Sequence, residues 1–177
     1  LDGFLHALEA QKQRYKILKS YKAVEPVAGK KAGEAILRDF PKRGSVDVVF
    51  SVNDGGGLAV VDVLAKAGRS EIRVATIDGD PASVANIRNG QLTVIDAAQF
   101  CGALGAEAMR ATYKLLRGGT VPKQTLIPTF PITSETLNTY PGWAAPLPPA
   151  FTKPWPSTHP RWTPTPQVSF AVHPTAP

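Results

Sequence analysis

Hydrophobic positions change period several times along the first 140 residues, and each change marks an element. Leu1, Phe4, Leu5 and Leu8 recur at helical spacing, so residues 1–13 are predicted as a helix. Residues 15–21 (Tyr-Lys-Ile-Leu-Lys-Ser-Tyr) alternate and are predicted as a strand. Pro26 and Gly29 punctuate a loop. Ala32, Ala35, Ile36 and Phe40 then stripe a helix over 30–40 that Pro41 and Gly44 end. Residues 46–52 form a nearly unbroken β-branched run, the pattern of a strand covered on both faces.

The same alternation continues. Asn53 to Gly57 turns the chain, and 58–67 is a helix stopped by Gly68. Residues 72–77 make a second buried strand. Asp80 suits an N-cap and Pro81 the first helical position, so a helix runs to Asn89-Gly90. Residues 92–95 read as a third strand, and 103–117 as a long amphipathic helix closed by Gly118-Gly119. Residues 125–132 read as extended, and Thr133-Ser134 as the cap of a short helix over 135–138. Helices alternating with apolar strands predict an α/β fold with a Rossmann-like parallel sheet built from crossovers. No internal repeat of useful period is present.

Composition divides the chain near Tyr140. Of its 17 prolines, 11 lie between Pro141 and Pro177, whereas 18 of its 20 Lys and Arg and all 14 acidic residues precede that stretch. The expected organisation is therefore an α/β ligand-binding lobe over 1–140 and an extended Pro-rich C-terminal tail over 141–177. The tail holds Trp143, Phe151, Trp155, Trp162 and Phe170, including all three Trp of the chain. Disordered tails are poor in aromatics and rich in charge. The expectation is thus a proline-stiffened strap pinned by these rings against the lobe.

Several function classes are disfavoured. The net charge of +6 comes from scattered Lys and Arg with no aromatic interleaving, so no nucleic-acid partner is expected. No run of eighteen apolar residues could form a membrane-spanning helix. Cys101 is alone and the three His are scattered, which leaves no disulfide, no metal-ligand spacing and no cofactor motif. Cys101 sits in a small-residue stretch and reads as a packing residue. The triple glycine 55–57 lacks G-x-G-x-x-G spacing and a following Walker Lys, and Asp54 precedes it. No nucleophile, base and oxyanion hole assemble, so no enzyme is expected. The first residue is Leu1, in what reads as the interior of an element, and upstream sequence is expected.

Ligands of open parallel sheets bind beyond the carboxyl ends of the strands. Asn53 and Asp54 end the first long strand, Asp78 ends the next, and Asp96 and Gln99 follow the third. Asn53 and Asp78 are separated by about one strand–helix–strand unit, which predicts their side chains on one edge of the sheet. Amides offer donors and acceptors, and an ionised carboxylate accepts strongly. Such a set suits a neutral polyhydroxyl ligand, a sugar or polyol, and repels phosphate. Asp54 and Asp80 read as caps.

The run Val46-Asp47-Val48-Val49-Phe50-Ser51-Val52-Asn53-Asp54, followed by Val74-Ala75-Thr76-Ile77-Asp78-Gly79-Asp80-Pro81, resembles the ribose-type periplasmic binding proteins of ABC transporters. That family shares its fold with the effector domains of LacI-type repressors. The likeness continues through Ile87-Arg88-Asn89-Gly90-Gln91-Leu92-Thr93, Gly105 and Leu115-Leu116-Arg117-Gly118, and covers about residues 1–140. It implies the carboxy-terminal lobe of a type I periplasmic binding protein, with most of the amino-terminal lobe missing from this sequence. It also implies a periplasmic or extracellular location, a membrane permease as partner, and two lobes that close on a sugar.

By the same resemblance, Asn53 and Asp78 hydrogen-bond sugar hydroxyls, and either Asp96 or Gln99 completes the set. The loop Glu25-Pro26-Val27-Ala28-Gly29 lacks the aromatic and Arg that the family places there, which argues against a simple aldopentose. One lobe supplies half a pocket, so the chain alone is expected to bind sugar weakly. The alternative is the effector lobe of a LacI-type regulator.

Overall fold

A computed structural model of the chain describes residues 1–170. Residues 171–177 of the strap, with His173, lie outside the described residues. The chain forms two compact units, Leu1–Thr76 and Ile77–Pro177.

The first unit opens with α1 (Asp2–Ala10), whose Phe4 stacks on Phe50 at 4.7 Å between ring centroids. Residues 15–21, predicted as a strand, form none. Alternation alone does not make a strand, because a ladder needs a neighbour. This segment is held by side chains instead: Tyr21 donates to the Asp39 carboxylate at 3.0 Å, and Lys19 pairs with it at 2.5 Å. Tyr15, Ile17 and Leu18 stand exposed.

α2 (Pro26–Asp39) begins at Pro26, earlier than the predicted start at Lys30. The Glu25 carboxylate caps it, accepting from the Val27 and Ala28 N–H groups at 3.1 Å each. Pro26 occupies the first helical position, where its missing N–H costs nothing.

β1 (Val48–Phe50) is short, and Val48 is 50% exposed, so the predicted cover on both faces is incomplete. β2 (Arg73–Asp78) lies parallel to β1, with Val48 opposite Arg73 and Phe50 opposite Ala75. Between them runs α3 (Asp54–Lys66), which absorbs the glycines predicted as a turn. Packing explains those glycines. A Cβ on Gly56 would lie 1.6 Å from the Ala23 carbonyl oxygen, and one on Gly29 would lie 2.3 Å from that of Gly56. A Cβ on Gly33 would lie 2.8 Å from the Val63 Cβ, so Gly29 and Gly33 let α2 pack closely against α3. Gly68, at φ 69°, ends the helical stretch as predicted. Ile36, Val60, Val61, Leu64, Ile72 and Val74 fill the core beneath, each worth about 1.5–3 kcal/mol of burial.

The second unit continues from β2 into α4 (Pro81–Arg88), with Asp80 capping through the Ala82 N–H at 2.7 Å and Pro81 at the first position, as predicted. β3 (Thr93–Ala98) runs beyond its predicted end at Ile95, which places Asp96 inside the strand. α5 (Cys101–Leu116) buries none of its residues, and Cys101 is exposed. The segment predicted as extended is split at Pro128 into β4 (Gln124–Leu126) and β5 (Phe130–Ile132). β5 pairs antiparallel with β3, Asp96 opposite Ile132 and Ala98 opposite Phe130. A 3-10 turn over Leu137–Thr139 replaces the predicted short helix.

The strap adds β6 (Phe151–Thr152) and β7 (Arg161–Trp162), which pair as a hairpin, and β8 (Gln167–Ser169), which pairs with β4. Trp162 is buried, donates its indole N–H to Thr129 O at 2.7 Å, and packs edge-on against Phe130 and face-on against Phe151. Phe170 stays exposed. Among the described residues no helix is long and apolar enough to cross a membrane.

Candidate functional site

The end of β2 carries two successive residues with positive φ. Asp78 stands at 130° and Gly79 at 83°. For a residue with a side chain such a conformation costs roughly 1–3 kcal/mol and persists only where the surroundings impose it. Here four hydrogen bonds do so. The Asp78 carbonyl accepts from the Gln99 N–H at 2.9 Å and from the Trp143 indole N–H at 2.6 Å. The Gly79 N–H donates to Asp96 Oδ1 at 3.0 Å, and the Gly79 carbonyl accepts from the Tyr140 hydroxyl at 3.3 Å. Only glycine fits at position 79, since a Cβ there would lie 2.6 Å from both the Ala98 Cβ and the Tyr140 hydroxyl.

The turn delivers the Asp78 carboxylate to Gln99, whose Nε2 donates to Asp78 Oδ1 at 2.8 Å. Asp78 and Gln99, both singled out from the sequence, are thus in direct contact at part-buried positions. Asp96 has a different setting. It is fully buried within β3, and its carboxylate backs the Asp78–Gly79 turn. Asp80 caps α4.

Asn53 belongs to the first unit. Its Oδ1 caps α3 by accepting from the Gly56 N–H at 3.2 Å, and its Nδ2 donates to the Val24 carbonyl at 2.8 Å. These bonds use one acceptor site and one N–H of an amide that carries two of each. Asp54, read as a cap, is the first residue of α3 and is buried, with Thr76 donating to its Oδ1 at 2.8 Å.

Two aromatics that sequence reasoning did not assign to the site reach it, Tyr140 and Trp143. The signal for Trp143 was the concentration of Trp in the strap, which carries no directional information by itself; Tyr140 had none. A groove of about 420 Å³ between α5 and the strap, lined among others by Ala106, Arg110, Ile127 and Leu147, contains none of the candidate residues. Among the described residues no three His, Cys, Asp or Glu gather so as to hold a metal ion.

Comparison with known proteins adds a lineage. Residues 1–120 match the periplasmic binding protein domain. The ribose import binding protein of Escherichia coli (strain K12) is 29% identical over 121 residues, which are 68% of this chain and 39% of that protein. The structure of an ABC transporter solute binding protein from Agrobacterium vitis with bound allitol superposes with a TM-score of 0.71 at 26% identity, covering 77% of this chain and 49% of that one. An ABC sugar transporter subunit from Rhodobacter sphaeroides 2.4.1 gives a TM-score of 0.67 at 25% identity, covering 76% and 49%. The chain therefore spans less than half the length of these relatives.

Proposed function

Because this chain belongs to the periplasmic binding protein domain family, we propose that it is a sugar- or polyol-binding part of a solute-binding component of an ABC importer. The observation that carries this reading is the Asp78–Gln99 pair on its imposed turn. A carboxylate accepts hydrogen bonds from sugar hydroxyls, and the neighbouring amide both donates and accepts. Together they recognise a neutral molecule with adjacent hydroxyls and repel an anion.

Gln99 takes the third ligand role that the sequence left open between it and Asp96, because Asp96 is buried and occupied with the turn. Asn53 is proposed as a further hydroxyl ligand on the strength of its motif and the remaining capacity of its amide. The named relatives are import binding proteins, which favours transport over the effector lobe of a LacI-type regulator and binding over catalysis. A permease partner and a periplasmic or extracellular location follow from the same reading.

Calorimetric titration of the complete protein with D-allose and with allitol tests it. Asp78→Ala and Gln99→Ala should each weaken binding by about 1–3 kcal/mol, as for loss of a buried bond to a charged or amide partner. Unchanged affinity in both variants rejects the assignment. Asn53→Ala removes a helix cap worth about 0.5–2 kcal/mol of stability, so its titration needs a melting curve beside it.

A further inference from the structure

The strap contributes to the second unit's site as well as to its packing. Residues 140–144, at its start and just before it, sit on the turn after β2 that carries Asp78 and on the first turn of α5, just past Gln99. On the loop after β2, Tyr140 and Trp143 bond the carbonyls of Gly79 and Asp78. In the first turn of α5, just past Gln99, the Gly102 N–H reaches the Trp143 carbonyl at 3.4 Å, and a Cβ on Gly102 would lie 3.1 Å from the Ala144 carbonyl oxygen. Gly79 after β2 and Gly102 at the start of α5 thus leave room for Tyr140 and for Ala144. Trp143 remains only part-buried.

We infer that Trp143 is a ligand-contacting residue, the apolar wall against which the C–H face of a cyclic sugar rests beside Asp78 and Gln99. This rests on the reading of those two residues as ligand groups. The indole N–H is spent on the Asp78 carbonyl, so what the ring offers a ligand is its face. Binding sites for small molecules combine such apolar surface with a few placed polar groups. Residues 25–29, the capped start of α2, offer no aromatic for this purpose. Trp143 also lies outside residues 1–120, so nothing in the family match assigns it.

Nuclear magnetic resonance on the ¹⁵N-labelled chain provides the test and reaches millimolar affinities. The Trp143 indole N–H signal is identified by its loss in Trp143→Phe, and the Gln99 side-chain amide by its loss in Gln99→Leu. On titration with D-allose, a cyclic hexose, both signals should shift along one binding curve, and allitol, its acyclic reduced form, should move the indole less. If the Gln99 signal moves while the indole stays still, the inference fails and the proposed function stands. If neither moves, both fail.

In the complete protein, Trp143→Ala should weaken D-allose binding about tenfold, and Trp143→Phe should recover most of the loss by restoring a ring without the N–H. Equal losses in the two variants would mean that the N–H anchor alone matters, which overturns the contact. If Trp143→Ala does not fold, the titration of the unsubstituted chain decides.

Discussion

Gln99 holds Asp78 twice. Its main-chain N–H donates to the Asp78 carbonyl at 2.9 Å and its side-chain Nε2 to the carboxylate at 2.8 Å. Backbone and side chain of one residue thereby fix backbone and side chain of the other, and the carboxylate is held in one orientation, as its proposed role requires. Preorganisation of this kind lowers the ordering cost of binding.

The turn that makes this possible depends on Gly79. Gly79→Ala places a Cβ at positive φ and against Ala98 and Tyr140. It should destabilise the protein by roughly 1–3 kcal/mol. Denaturant unfolding checks this, and a midpoint equal to that of the unsubstituted protein would contradict it.

Two glycines within helices should respond in opposite directions to the same substitution. Gly56→Ala forces a Cβ into the Ala23 carbonyl and should cost about 1–3 kcal/mol as the segment leading into α2 is pushed off α3. Gly105→Ala meets nothing within 4 Å on α5 and should gain about 0.5–1 kcal/mol through helix propensity. Thermal melts of the pair give the signs directly.

Trp162→Ala should be the most damaging change in the strap. It empties a buried site between Phe130 and Phe151 and strands the Thr129 carbonyl, an expected loss of about 3–5 kcal/mol. Phe170→Ala, at an exposed position, should stay within about 0.5 kcal/mol. Comparable losses in the two would refute the idea that the buried ring anchors the strap.

Acid should weaken the first unit through two carboxylates. Hydrogen bonds from Lys19 and Tyr21 hold Asp39 below the usual carboxylate range, and the bond from Arg69 does the same for Glu71. With folded values depressed, their stabilisation is complete above the ordinary carboxylate value near pH 4 and drains away as pH falls through the folded value. Melting temperature measured against pH should therefore fall more steeply below about pH 4 in the natural protein than in Asp39→Asn/Glu71→Gln. Superimposable curves would argue against it.

Local stereochemistry was the most legible part of the fold. Asp80-Pro81 and Gly68 act through bonds or dihedral angles of their immediate neighbourhood, and both do what their residue types predict. The glycines at 55–57 misled because sequence shows the absence of a side chain but not the carbonyl of Ala23 that requires it. Residues 15–21 misled because alternation specifies which side faces in, and says nothing about whether a partner strand is present. At the site, Asp78 and Gln99 were legible from their places after strands. Asp96 changed role because β3 runs past Ile95 and draws it into the strand. Trp143 arrives from a segment 65 positions away, which no local pattern encodes.

The lone thiol of Cys101 has a practical use. It is exposed, and its neighbour Gly102 is bonded to the carbonyl of Trp143. An environment-sensitive dye attached there needs no engineered cysteine and meets no competing thiol, because the chain has one. Its emission would report, in real time, any lifting or settling of the strap beside Gln99 as a ligand comes and goes.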